Sequence, residues 1–424
     1  MRQVVGLLAL AALAGPGLAV TPMDEKLTAG GITRIECNVL GRPPLIVWRN
    51  DKGKDVPESG WRLRDLHYDL YLPADYDKNP DYRYPAIFIA APGGNANMAN
   101  MTERLKRDGW VAVMLVESQN GSVDVTSNFV AAYDDVVQRV RIAKGAKLAT
   151  GLSGGSRAAS MYPLMRPGFR GLFCQAAGFI YGLAKVDNAA IYEKYPPQVL
   201  VAGTFGTKDE NAYEAHSIRR TLDARSGRYV ELFDGGHDWA PAPNAERVFD
   251  WFEDQAFLAP PVAAQPCALI TPVKAESMGP EGYAWFFRLT QQRLEKAETK
   301  AEKYRQMSRL PVIAKNGQLT ADPETAKVLA TVGAELEKLK TDPELQTVLQ
   351  AEKEFQKAMA AFDAFEKLFM RGKAEFKKRP VSRGELTALD KFREAAGKVI
   401  AAYPDTYYAK RLQAAIDCLA LEFN

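Results

Sequence analysis

The sequence predicts an α/β fold, in which a mostly parallel sheet carries helices on both faces and an all-helical region follows. Three observations predict it. Between residues 61 and 258, short apolar runs alternate with stretches of helical periodicity. Several of these runs are apolar throughout, as in strands that are covered on both faces. Beyond a proline-rich linker at residues 259–274, the composition shifts to Ala, Glu, Lys and Leu.

The candidate strands are the seven apolar runs 68–72, 86–91, 111–116, 146–150, 171–177, 199–202 and 229–233. The candidate helices between them are 127–142, 156–164, 209–224 and 245–257. Residues 20–60 form an N-terminal extension, in which alternating Ile35, Cys37 and Val39 and the apolar run 45–48 predict an extra hairpin. In such a sheet, functional groups gather where the parallel strands end.

Residues 275–424 are predicted to be a helical bundle or a tetratricopeptide-like unit. Asp322-Pro323-Glu324 and Asp342-Pro343-Glu344 each place an aspartate at a helix N-cap, a proline in the first turn and an acid near the positive end of the dipole. The segment 403–409 resembles the helix junction of tetratricopeptide-like repeats, although it occurs once. Three roles stay open for this region: a stabilising appendage, a protein-interaction module or a substrate-capturing module.

Residues 1–19 have the order of a secretory signal peptide: Arg2, an apolar run and a small-residue exit ending at Ala19. The apolar run is too short to span a bilayer, so we expect a secreted or periplasmic protein whose mature chain has no membrane span. The formal net charge of +3 gives no argument for a nucleic-acid partner.

Four cysteines allow disulfides in an exported protein, but their spacing does not fix the pairing. Cys267 and Cys418 bracket the C-terminal half, so a bridge between them is one option. Cys174, in an apolar run, is predicted to be a buried free thiol. With three histidines and no metal-ligand spacing, we expect neither a metal site nor a cofactor.

The heptapeptide 151–157 carries the strongest chemical signal, because Ser153 lies between glycines where a strand gives way to a helix. That turn exposes a serine hydroxyl as a nucleophile. A serine needs a base, and His237 follows the last predicted strand in the glycine-rich segment 235–239. His67 adjoins a strand and His216 lies within a predicted helix, so both are read as packing or surface residues.

The orienting acid is expected at the end of the preceding strand, where Asp209 is the first choice and Glu210 the second. Asp238 is rejected, because a direct neighbour rarely points at the same imidazole. The oxyanion hole needs two main-chain N–H donors. Gly154 supplies one by its position after the nucleophile, and Gly94, with Asn95 as its alternate, is expected to supply the other.

On these residues, the chain from about 68 to 258 resembles the α/β-hydrolase family, and most of all its exported esterase, feruloyl-esterase and polyhydroxybutyrate-depolymerase-like branch. The resemblance implies that Ser153 forms an acyl-enzyme, His237 shuttles the proton and Asp209 holds the imidazole. One departure is Ala91-Pro92, where many members have His-Gly ahead of the oxyanion glycines.

The predicted function is therefore an exported serine hydrolase that cleaves small-molecule or polymeric carboxylic esters. Two alternatives stay open. One is a serine peptidase of the prolyl-oligopeptidase type, although the segment before residue 61 is too short for the propeller domain usual there. The other is a non-catalytic binding protein with a hydrolase-like fold, whose helical region recruits a protein partner.

Overall fold

The computed structural model describes residues 27–37, 66–121, 125–179, 199–212, 214–215, 218, 228–259, 277–371 and 382–423. Within these residues, eight strands form one sheet in the order β1-β2-β4-β3-β5-β6-β7-β8. Their bounds are β1 Ile32–Glu36, β2 His67–Tyr71, β3 Tyr84–Ala90, β4 Val111–Leu115, β5 Ile142–Leu152, β6 Phe169–Gln175, β7 Leu200–Gly206 and β8 Arg228–Phe233. Strands β3 to β8 are parallel, whereas β1 and β2 are antiparallel to their neighbours.

Within its described residues, the sheet region has five α-helices: α1 Thr102–Asp108, α2 Val125–Arg139, α3 Gly154–Ala159, α4 Tyr162–Met165 and α5 Ala242–Phe252. A π-helical turn, Glu253–Phe257, continues α5. Strands β3 and β4 are buried along their whole length, which explains their continuously apolar sequences. Strand β6 is equally buried, although it carries Arg170 and Gln175. The predicted fold class, an α/β fold with a mostly parallel sheet followed by an all-helical region, is confirmed.

The C-terminal region consists of α6 Gly279–Glu295, α7 Lys300–Asn316, α8 Pro323–Leu339, α9 Pro343–Arg371, α10 Arg383–Ala402 and α11 Tyr407–Phe423. The two aspartate caps are where the sequence predicts them. Asp322 accepts the Thr325 N–H at 2.7 Å, and Asp342 accepts the Glu344 N–H at 3.0 Å. Within the described residues, no helix is both long and apolar enough to cross a membrane.

Beyond small shifts in element bounds, two predicted elements differ from the structure. The single helix expected at 156–164 is divided into α3 and α4, because Pro163 in the first turn of α4 has no N–H to continue the helix. From the N-terminal extension, β1 joins the main sheet and pairs with β2, so that Ile35 lies opposite Tyr68. The other half of the predicted hairpin, 45–48, lies outside the described residues, as do the signal peptide and most of the helix expected at 209–224.

The hydrophobic core does not divide at residue 275, where the composition changes. Trp285 and Phe286 of α6 are buried in the same core as the sheet. The Trp285 ring centroid lies 6.3 Å from that of Trp110, and the Phe286 centroid lies 5.8 Å from that of Phe257. A second, smaller core lies among α9, α10 and α11.

A buried ionic cluster also joins the two regions. Glu253, which is fully buried, accepts hydrogen bonds from Arg104 of α1 at 2.8 Å and from Arg293 of α6 at 2.7 Å. Arg293 also donates to Asp108 at 2.8 Å. At the far end of the sheet, the Arg411 guanidinium of α11 lies 5.3 Å from the Tyr229 ring centroid of β8, within the range of a cation–π contact.

Candidate active site

Ser153 occupies the turn between β5 and α3, with φ 54° and ψ −121°. A positive φ is uncommon for a residue with a side chain and is a strained conformation that clusters at functional sites. The Ser153 N–H donates to the Gln175 carbonyl of β6 at 2.9 Å, which anchors the turn to the neighbouring strand. The turn therefore lifts the side chain out of the strand that precedes it.

Close packing on both sides of Ser153 requires glycine. A Cβ at Gly151 would lie 2.6 Å from the Ala90 carbonyl oxygen, and one at Gly155 would lie 2.6 Å from the Ala90 carbonyl carbon. Real Cβ atoms do not approach main-chain atoms so closely, so β3 and the first turn of α3 fit together only without side chains there. The glycines of the heptapeptide thus have a steric cause.

Asp209 and His237 come together because the loops after β7 and β8 are tied to each other. The Thr207 N–H donates to the Phe233 carbonyl at 2.9 Å, and the Lys208 N–H donates to the Gly235 carbonyl at 2.9 Å. As a result, His237 Nδ1 lies 2.8 Å from Asp209 Oδ1.

The Asp209 carboxylate is fully buried, whereas 37% of the His237 side chain is exposed. The same Oδ1 atom of Asp209 also accepts the Asn211 N–H at 2.8 Å. This arrangement favours a proton on Nδ1 of the imidazole, which leaves Nε2 as the basic atom.

The other candidates for base and acid lie elsewhere. Glu210 and Asp238 are exposed, and Asp238 accepts the Trp239 N–H at 2.7 Å. His67 Nδ1 lies 2.9 Å from Glu117 Oε1, so this imidazole has a partner of its own in the sheet. His216 lies outside the described residues.

Ser153 and His237 are not hydrogen-bonded to each other in the described part of the chain. The loop that follows His237 is nevertheless fixed close to the Ser153 turn. Asn100 Nδ2 donates both to the Ala240 carbonyl at 2.7 Å and to Gln175 Oε1 at 2.9 Å, and the Gln175 main chain accepts the Ser153 N–H. Catalytic hydrogen bonds are often long before substrate binds.

The oxyanion donors differ from the sequence prediction. The Gly154 N–H stands free in the first turn of α3, as helix N-termini leave it. The Gly94 N–H, however, donates to the Ala91 carbonyl at 3.1 Å, and the Asn95 N–H donates to the Val116 carbonyl at 2.8 Å. Neither of these two groups is available to a substrate.

Gly93 is the remaining candidate for the second donor in this loop. It is exposed, and its N–H forms no hydrogen bond within the described residues. Sequence reasoning missed it because the choice among consecutive glycines depends on which N–H closes the turn.

No group of three His, Cys, Asp or Glu side chains in the described ranges could hold a metal ion. Cys37 and Cys174 are free thiols, and Cys174 is buried. Cys267 lies outside the described residues, and the structure does not describe the Cys418 side chain, so the bridge between them stays a prediction.

No family model matches the sequence. Among curated proteins, the sequence is similar to leucine-rich repeats and immunoglobulin-like domains protein 3 of mouse and of human. Each is 42% identical over 53 residues, or 12% of this chain. The match spans about 5% of the length of those relatives.

Solved structures that are similar to this chain include a ferulic acid esterase, at 13% identity and a TM-score of 0.37, covering 54% of this chain and 100% of that chain. Dipeptidyl peptidase 4 of Porphyromonas gingivalis is also similar, at 13% identity and a TM-score of 0.36, covering 50% of this chain and 35% of that chain.

Proposed function

We propose that this protein is a serine hydrolase that cleaves carboxylic esters. The observation that carries the proposal is the Ser153 turn at positive φ, in a sheet whose neighbouring strand ends bring Asp209 and His237 to 2.8 Å. A strained serine and a carboxylate–imidazole pair at the same edge of a parallel sheet are the parts that acyl transfer needs.

In the proposed mechanism, Ser153 Oγ attacks the ester carbonyl carbon while His237 Nε2 takes the hydroxyl proton. Asp209 accepts a hydrogen bond from Nδ1–H of His237 and stabilises the imidazolium that forms when Nε2 takes the proton. The Gly154 and Gly93 N–H groups face the carbonyl oxygen as it becomes an oxyanion. His237 then protonates the leaving alkoxide, and water repeats the sequence to release the acid and restore Ser153.

Labelling with a fluorophosphonate tests the nucleophile directly. We expect one adduct per folded chain on Ser153, and we expect Ser153→Ala to abolish both the adduct and ester hydrolysis. Ser156→Ala is the matched control from the same heptapeptide, because its buried hydroxyl donates to the Ala177 carbonyl at 2.7 Å and is out of reach of the probe. An adduct that persists in Ser153→Ala would refute the proposal.

The same labelling and hydrolysis assays distinguish the esterase from two competing functions. A hydrolase-like domain that only binds is supported by the lack of a Ser153–His237 hydrogen bond in the described residues, and it predicts no adduct on the native chain. A peptidase would form the adduct but would prefer a peptide amide over an ester of the same acyl group. A panel of aryl esters and short polyesters would then define the substrate class.

We also propose that the protein acts outside the cytoplasm, on the strength of the signal-peptide pattern at residues 1–19. Intact-mass measurement of the exported protein tests this, with Val20 expected as the first residue. A chain that retains residues 1–19 and stays in the cytoplasm would contradict it.

A further inference from the structure

Asn120 lies against the turn that carries the candidate nucleophile. An ideal Cβ built at Gly154 would lie 2.7 Å from Asn120 Nδ2 and closer still to Oδ1. The carboxamide therefore fills the space beside the Gly154 α-carbon that a side chain would otherwise occupy. Gly154 is the residue whose N–H the mechanism uses.

The loop that presents Asn120 is held firmly against the Gly93 loop. The Asn120 N–H donates to the Pro92 carbonyl at 2.8 Å. The Ser118 hydroxyl accepts the Ala91 N–H at 3.1 Å and lies 3.2 Å from the Ala91 carbonyl oxygen. Asn120 is thus fixed by its main chain between the two segments that provide the free N–H groups.

The root of this loop is fixed as well. Glu117, two residues after β4, donates its N–H to Asn128 Oδ1 at 3.1 Å, and its carboxylate accepts Asn128 Nδ2 at 2.8 Å. The Glu117 carboxylate also accepts the His67 N–H at 2.8 Å. A polar side chain on so constrained a loop is preorganised, which is what electrostatic stabilisation of a transition state requires.

The Asn120 side chain is exposed, and its carboxamide forms no hydrogen bond to the part of the chain that the structure describes. Its Nδ2 carries two N–H donors, and rotation about the last side-chain torsion can turn them toward a ligand. A buried or paired asparagine could not do this.

We infer that Asn120 is a further catalytic residue, whose Nδ2 donates a hydrogen bond to the oxyanion beside the Gly154 N–H. The inference rests on the proposed function. It also gives a physical role to the loop after β4, which the main-chain donors alone would leave without one.

Steady-state hydrolysis by Asn120→Ala and Asn120→Asp tests the inference. Removing one preorganised oxyanion donor costs about 10²–10³-fold in kcat, so we expect that loss in Asn120→Ala with KM changed by less than about threefold. Asn120→Asp should lose more, because a carboxylate would repel the developing negative charge. Gln119→Ala is the matched control: it is exposed, it adjoins Asn120, and we expect it to keep the parent kcat.

A trifluoromethyl ketone distinguishes a donor from a merely structural residue, because it forms an oxyanion on Ser153 without turnover. Its inhibition constant should rise in Asn120→Ala by the same factor as kcat/KM falls, while the thermal midpoint of unfolding stays that of the parent. An unchanged kcat in both variants of an active parent would overturn the inference alone. An inactive, unlabelled parent would instead refute the proposed function.

Discussion

At the residue scale, the Asp209 carboxylate fixes the orientation of His237 through a 2.8 Å contact from a fully buried position. We predict that Asp209→Asn lowers kcat by about 10³–10⁴-fold, because an amide stabilises the imidazolium poorly and can select the wrong tautomer. Ester hydrolysis with circular dichroism as a fold check measures this. Exposed Glu210 is the matched control, and Glu210→Gln should retain activity; an equal loss in both variants would contradict the assignment.

The residues that a local pattern can reveal are those defined by their own flanking sequence. Ser153 between glycines and His237 after two glycines are of that kind. Gly93 and Asn120 are not, because their availability depends on hydrogen bonds between loops far apart in sequence, such as the one from the Ala91 N–H to Ser118. The segment around Asn120 reads as an ordinary polar turn until β3 and β4 are placed side by side.

At the element scale, α3 approaches β3 so closely that the position facing Ala90 must be a glycine. We predict that Gly155→Ala destabilises the protein by about 1–3 kcal/mol, since its Cβ would collide with the Ala90 carbonyl, which cannot move aside. Urea denaturation measures the change. Gly333→Ala in α8 is the control, because that Cβ meets open space, and we expect a gain of about 0.5–1 kcal/mol. Equal stabilities for the two variants would refute the clash.

Element type could be predicted where apolar runs are continuous, but element ends could not. Strand β5 begins at Ile142, four residues before the predicted run, because Ile142 pairs with Tyr84 of β3. Such a pairing depends on a partner strand and leaves no mark in the local sequence. Pro163 is a sequence signal for the break between α3 and α4. The helical pattern on both sides of it nevertheless predicts one continuous helix.

At the scale of the whole molecule, the ionic cluster at Glu253 binds the sheet region to the C-terminal helices. We predict that Glu253→Gln lowers the free energy of unfolding by about 3–5 kcal/mol, because it leaves the guanidinium groups of Arg104 and Arg293 with less buried negative charge. Glu394→Gln, from the exposed pair with Lys398, is the control and should leave the free energy of unfolding close to that of the parent, because water and salt screen an exposed ion pair. A Glu253→Gln variant as stable as the control would contradict this role.

The same cluster predicts a pH dependence. Burial alone would raise the pKa of Glu253, but the charges of Arg293 and Arg104 outweigh it and hold that pKa well below the ordinary value of 4.5. Its stabilisation is therefore complete above pH 4.5 and is lost as the pH falls through the lower folded-state value. Denaturation between pH 3 and 7 should show a steeper acid loss for the parent than for Glu253→Gln; parallel curves would argue against it.

No local signal announces this cluster, since Arg104, Glu253 and Arg293 lie in three separate parts of the sequence. The same holds for the shared core. Trp285 of α6 packs against Trp110, the residue before β4, although the two lie on opposite sides of the predicted boundary at residue 275. The composition changes between the sheet region and the C-terminal region, but the hydrophobic core continues across that boundary. The strand order of the sheet could not be predicted either, because it depends on pairing between strands that are distant in sequence.

The contact between α11 and β8 sets an order of events in biosynthesis. Strand β8 is the last strand of the sheet in the part of the chain that the structure describes, so one side of its backbone has no partner strand there and can pair with another chain. The helix that packs against it, with Arg411 over Tyr229, is the last described element to be translated. At a translation rate of about 5–20 residues per second, α11 is synthesised on the order of 10 s after β8. The strand stays uncovered during that time. A nascent chain is thus most vulnerable to aggregation after strand β8 has joined the sheet and before α11 emerges.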